Sequence, residues 1–152
     1  EQQTKVVEGS HVQQRPEKSR SQISDQPVSV AEKQFAQLIQ ALLLDEQRFL
    51  QASLKVADIA RELKVPEYRI SKTLRTQLDA KNFNDFINKL RIEHACGLLT
   101  DPGKQHWSIL VVSLESGFAS VGPFTRAFKA ITGSTPNQYR QSHLDKLNWR
   151  MA

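Results

Sequence analysis

Apolar residues recur at helical spacing along most of this chain, and the places where the rhythm breaks divide it. Residues 1–27 hold only Val6, Val7, Val12 and Ile23 as apolar side chains among Gln, Glu, Ser, Arg and Lys. That is too little surface to offset the entropy of ordering, so a disordered polar linker is expected there. From Val30 the pattern changes: Phe35, Leu38, Ile39 and Leu42 fall at i, i+3, i+4 and i+7, one stripe of an amphipathic helix over about 30–46. A short helix follows over 56–63, with Ile59, Ala60 and Leu63 inward. Lys64-Val65-Pro66 makes a turn, because proline suits the first turn of a helix and not its interior. The next helix, over 67–77, has Ile70, Leu74 and Leu78 as its apolar line, with Tyr68, Ser71, Lys72 and Arg75 on the other side.

Asn82 is placed to cap a long helix over 83–99 that carries two apolar stripes. Phe83, Phe86, Ile87 and Leu90 form the first; Ile92, Ala95, Cys96 and Leu99 form the second, nine residues on. At about 100° per residue, nine steps add half a revolution to two full ones, so the stripes face opposite sides. One helix is therefore expected to serve two lobes over a length of roughly 25 Å. Asp101-Pro102-Gly103-Lys104 reads as a turn. Ser108 caps the first helix of a second unit, and after Gly117-Phe118, Ser120 caps a helix with Pro123 in its first turn. There Phe124, Ala127, Phe128 and Ile131 point inward, leaving Gly122, Thr125, Arg126 and Lys129 outward. A last helix starts at Pro136 behind Thr135, with Tyr139 packing it onto the lobe. Past His143 the pattern thins, and nothing in it accounts for Trp149.

These breaks predict an all-α fold of about seven helices in two helix-turn-helix lobes. Lobe one covers about 28–82, the linker helix 83–99 and lobe two about 104–143, with 144–152 as a tail. Charge then sharpens the picture. Residues 54–140 carry 13 Lys/Arg against 8 Asp/Glu, while the rest of the chain is balanced, so the entire net charge of +5 lies on the paired units. A polyanionic partner suits that distribution. The single cysteine, Cys96, excludes an intrachain disulfide, and with four scattered histidines it also excludes a Cys/His zinc site. The longest apolar run, 41–44, is far short of a membrane span. Gly133-Ser134-Thr135-Pro136 is not a nucleophile elbow, and Gly103-Lys104 lacks the spacing of a phosphate-binding loop. No enzyme activity, cofactor, metal or small-molecule site is expected.

Several local strings are specific: Leu54-Lys55-Val56-Ala57-Asp58-Ile59-Ala60, Asn82-Phe83-Asn84-Asp85-Phe86-Ile87, Arg91-Ile92, Leu99-Thr100-Asp101-Pro102, Ser116-Gly117-Phe118, and Gly122-Pro123-Phe124-Thr125-Arg126-Ala127-Phe128-Lys129. At these residues, over about 38–140, the chain resembles the AraC/XylS family of bacterial transcription regulators. The resemblance implies two helix-turn-helix lobes joined by a linker helix, the architecture that the periodicities give independently. It also implies base contacts from Tyr68, Arg69, Ser71 and Lys72 in lobe one and from Val121, Gly122, Pro123, Thr125 and Arg126 in lobe two. The chain departs from the family pattern at Asp79, where glycine is usual, and at Ser113, where alanine is usual; Asp79 is expected to take the left-handed turn conformation.

Lys72 and Arg126 are the strongest base-reading candidates, because long cationic donors reach guanine O6 and N7; the alternative for each is a phosphate contact. Val121, Gly122 and Pro123 lack side-chain donors, so lobe two is expected to read by backbone fit and methyl contact. Arg75, Lys81, Lys129 and Arg140 are assigned to phosphates. The helix starts at Asn82 and Thr135 offer backbone N–H groups to phosphate, or serve only as caps. His94 is expected to be a hydrogen-bonded structural histidine and Cys96 a small core residue.

The expected partner is double-stranded DNA, bound with sequence specificity in the bacterial cytoplasm, with RNA polymerase as a second partner implied by the resemblance. The polar leader is expected to tether the domain to a sensory part preceding Glu1, in a parent that is soluble or membrane-anchored. A helical protein-interaction module whose basic faces only solubilise it stays open as an alternative. A DNA-modifying alkyl-transfer enzyme would require a reactive cysteine, for which Cys96 is poorly placed.

Overall fold

The structure, a computed structural model, describes residues 29–151. The linker expected over 1–27 lies outside them. Ser29 accepts a hydrogen bond from the Glu32 amide at 3.2 Å and opens α1, Val30–Leu44. This helix buries Ala36, Ile39 and Leu43, while Leu38 is 50% exposed and Phe35 and Leu42 are half-buried. The inward row is thus rotated from the expected stripe. With Leu42, Leu43 and Leu44 consecutive, apolar periodicity alone leaves the rotation undetermined, and packing against the next segments selects it.

α1 also ends before residue 46, because Glu46 and Gln47 adopt left-handed conformations (φ 50° and 54°). They kink the 3-10 segment Asp45–Leu50, which buries Phe49. An Arg48–Glu62 ion pair at 2.5 Å ties this segment to α2, Val56–Leu63. Lys64 (φ 54°) closes α2, and the Val65 amide donates back to the Ala60 carbonyl at 3.0 Å. Pro66 then precedes α3, Glu67–Gln77, which ends where Asp79 takes the expected left-handed conformation at φ 48°.

α4 runs from Phe83 to Thr100 behind Asn82, whose Oδ1 accepts from the Asp85 amide at 2.9 Å. Its two stripes enter two separate cores. Phe83, Phe86 and Ile87 join Ile39, Leu43, Phe49, Ile59, Ile70 and Leu74; Ile92, Ala95 and Leu99 join Val112, Phe118, Phe124 and Phe128. A 3-10 turn at Pro102–Lys104 leads to α5, Ile109–Glu115, capped by Ser108. Gly117 (φ 89°) makes the turn toward α6, Val121–Thr132. Ser120 holds the position before α6 without a side-chain capping bond.

Phe118, Phe124, Phe128 and Tyr139 form a chain of tilted and edge-on rings, with successive centroids 5.3, 5.6 and 5.5 Å apart. Such geometry favours aromatic pairs beyond the area they bury. The last link docks α7, Pro136–Met151, onto lobe two as expected. That helix does not thin out past His143. It continues to Met151, with Trp149 79% exposed.

Candidate nucleic-acid interface

The outward stripe of α3 is where its pattern places it. Tyr68 is 72% exposed, Lys72 and Arg75 are exposed, and Ser71 is half-buried. Ser71 borders a recess shared with Lys55 and Val56 at the start of α2 and with Asn82, Phe83 and Asn84 at the start of α4. Two helix starts therefore converge beside this helix, and each carries first-turn amides with no intrahelical partner. Lys55 and Asn84 were missed in the sequence; only the convergence of two elements reveals them.

Arg69 is brought elsewhere. Its guanidinium lies over the Phe35 ring of α1, 4.3 Å from the centroid, beside a small recess bordered by Glu32, Lys72 and Thr76. On the helix it falls well away from Tyr68, Ser71 and Arg75, so α1 takes this flank of α3.

In lobe two, Gly122, Pro123, Arg126 and Lys129 are exposed and Val121 and Thr125 half-buried. A Cβ on Gly122 would lie 3.5 Å from Nη1 of Arg126, so the Arg126 side chain lies alongside the bare backbone of the first turn. Ile131, expected inward, is 41% exposed. It borders a recess between the lobes, together with Ala130, Arg75, Lys81, Asp85 and Lys89. Two of the phosphate candidates, Arg75 and Lys81, thus meet in one recess. The third cation there is engaged: Lys89 Nζ donates to the Asp79 carbonyl at 3.0 Å and pairs with Asp85 at 3.3 Å. The Lys81 amide, bonded to the Asp85 carboxylate at 3.0 Å, and then the Lys89 cation hold that carboxyl below its ordinary pKa.

The remaining candidates separate. Asn82 spends its side chain on capping, and Thr135 is in a reciprocal cap with Gln138, at 3.0 and 3.2 Å. Arg140 turns Nε and Nη2 inward, shielded from solvent and without a hydrogen-bond partner among the described residues. That edge of its guanidinium is not at the surface. His94 packs its ring edgewise on Phe49 at 5.9 Å and makes no side-chain hydrogen bond of the expected kind among the described residues, and burial pushes its pKa down. Cys96 is half-buried, and burial pushes its thiol up. Among the described residues no cluster of His, Cys, Asp or Glu is arranged to hold a metal, and no helix is long and apolar enough to cross a membrane.

Two helix-turn-helix units on one shared helix, each presenting an exposed cationic helix face, define a tandem helix-turn-helix DNA-binding domain. A family model described as a helix-turn-helix domain matches residues 59–142, more than half of the chain. The fold is similar to that of the C-terminal domain of AraT, a response regulator from Geobacillus stearothermophilus, with a TM-score of 0.59 and 26% identity over 77% of this chain and 88% of that one. It is also similar to a Chromobacterium violaceum transcriptional regulator of the AraC-type DNA-binding domain group, with a TM-score of 0.56 and 21% identity over 74% and 92%. An uncharacterized HTH-type transcriptional regulator of Staphylococcus aureus is 36% identical over 87 residues, which are 57% of this chain and 11% of that protein. The chain thus spans about a tenth of that relative's length. It belongs to the AraC-type helix-turn-helix family.

Proposed function

We propose that this domain binds double-stranded DNA sequence-specifically, with α3 and α6 entering successive major-groove segments on one face, about one helical turn apart. Base edges are read in lobe one by Tyr68, Ser71 and Lys72, and in lobe two by Arg126 and Thr125, with backbone fit at Val121, Gly122 and Pro123. Arg69, seated on Phe35, orients α3. Arg75 and Lys81 take a phosphate between the lobes, Lys129 another, and the starts of α2 and α4 a third. The observation that carries this reading is the pair of exposed cationic stripes flanking an interlobe recess that itself holds Arg75 and Lys81.

On the same reading, the parent protein is a bacterial transcription regulator that couples this domain to a sensory part in the same polypeptide and acts on RNA polymerase. A footprint on DNA selected from a random pool tests the DNA-binding proposal. Protection over two adjacent major-groove segments, with the distal one lost in Arg126→Ala, is expected. Protection of one segment, insensitive to Arg126→Ala, would overturn it.

A further inference from the structure

Arg91 belongs to neither exposed cationic stripe. It is 8% exposed, near the middle of α4, and no carboxylate pairs with it among the described residues. Its donors go instead to backbone carbonyls of the 3-10 segment and the residue after it: Nε to Phe49 at 2.6 Å and Nη2 to Gln51 at 2.7 Å. The other side of the guanidinium is 5.7 Å from the ring centre of Phe118, a core residue of lobe two. Gly117 completes the junction. A Cβ there would stand 2.9 Å from Arg91 Nε and from both Cα and O of Leu50, so only a glycine lets the lobe-two turn close on this part of lobe one.

Neither hydrophobic core includes Arg91. A buried cation costs free energy unless its donors are satisfied, and satisfying it with carbonyls of fixed direction is a geometrical constraint that apolar packing would not impose. The site therefore joins the lobes without building either.

We propose that Arg91, with Gly117, is a latch that fixes the angle between the lobes and thereby sets the half-site spacing the protein accepts. Arg91 is a positioning residue in this account, which rests on the two-segment DNA reading above. Inserting one base pair between half-sites moves one of them about 3.4 Å along the duplex and turns it by roughly 35°, so a latched pair cannot follow while an unlatched pair can.

Two measurements separate the latch from the DNA reading. In the first, spin labels at exposed Thr76 and Ala130, in a Cys96→Ser background, report the lobe-to-lobe distance without DNA. A narrow distribution is expected for Arg91 and a broadened one for Arg91→Lys and Arg91→Met. In the second, affinity is compared for the selected site and for sites with one base pair added or removed. Wild type is expected to lose at least about tenfold on a spacing change, comparable to a mismatched pair, and Arg91→Met to lose less than about threefold. If Arg91→Met fails to fold, Arg91→Lys reads the same two quantities, since an ammonium cannot reproduce the two-pronged bond. Folded variants with an unbroadened distance distribution or unchanged spacing penalty overturn the latch. A wild type that binds no duplex specifically overturns the DNA reading alone, and the distance measurement still decides the latch.

Discussion

Arg69 and Lys72, three residues apart on α3, have different surroundings. Tyr68, Ser71, Lys72 and Arg75 share a face of α3, whereas Arg69, about 100° round the helix from Tyr68 and about 60° from Lys72, is carried to α1 and rests on Phe35. The two cations should therefore respond differently to removal. Lys72→Ala is expected to cost about 1 to 3 kcal/mol of binding and to relax preference at one or two base pairs, as read by selection and sequencing of bound DNA. Arg69→Ala should leave the selected sequence unchanged and lower stability toward urea by about 0.5–1 kcal/mol, the range of an exposed cation–π contact. Phe35→Leu should reproduce the Arg69→Ala phenotype; a changed base preference in either would return Arg69 to the reading face. Asn82 allows a second dissection. Its Oδ1 caps α4, so Asn82→Ala should cost about 1 kcal/mol of stability. Asn82→Asp keeps a good cap but sets a carboxylate beside the proposed phosphate, so thermal stability should hold while DNA affinity drops. Affinity unchanged in Asn82→Asp would make the residue a cap and nothing more.

At the scale of elements, α4 shows what a sequence can reveal. Its stripes are separated by half a revolution, a relation internal to one helix, and the structure places them in two cores as that relation requires. The left-handed turn at Asp79 was legible through the resemblance, which has glycine there, and the positive φ of Gly117 suits a residue without a Cβ. What was not legible depends on partners distant in sequence. The rotation of α1 follows from α3 and the 3-10 segment, and its early end from Glu46 and Gln47, two residues with no strong preference for the left-handed conformation they adopt. The recess beside Ser71 and the seat of Arg91 likewise need segments about 10 to 40 residues apart. The helical tail past His143 is polar enough to pass for coil by pattern, yet its first turns are docked through Tyr139 and the helix propagates from there. His94 of α4 supplies a pH prediction. Burial against Phe49 lowers its pKa below the ordinary 6.5, with Glu115 opposing that shift and Lys104 adding to it. The unfolded chain thus binds more protons than the folded one as pH falls below 6.5. Stability should be fully present above that value and decline with acidification until the folded-state pKa is passed. Chemical denaturation at stepped pH should show that decline in wild type and a flatter profile in His94→Gln; equal slopes would mean that His94 is not the group responsible.

Across the whole molecule, the positive excess of residues 54–140 matters only through the cations that can reach a duplex. Each phosphate neutralised adds about 0.9 to the slope of log affinity against log salt, so the slope counts contacts rather than formal charge. Arg75 and Lys81 share the interlobe recess and each should lower the slope by about 1 when replaced by alanine. Arg140 carries the same charge in a different setting. Its Nε and Nη2 are shielded within lobe two without partners among the described residues, so that edge carries buried, unpaired donors. Leaving buried donors unpaired costs free energy, and replacing them with an apolar group of similar shape removes the cost. Arg140→Met is therefore expected to leave the salt slope within error of wild type and to keep or raise the melting temperature, while Arg75→Ala lowers the slope and leaves the melting temperature nearly unchanged. Titrations between 50 and 200 mM salt, paired with thermal melts of the same samples, read both quantities. A slope reduced by about 1 in Arg140→Met would show that its guanidinium swings outward to phosphate when DNA binds, and the inward seat would then describe the free domain only.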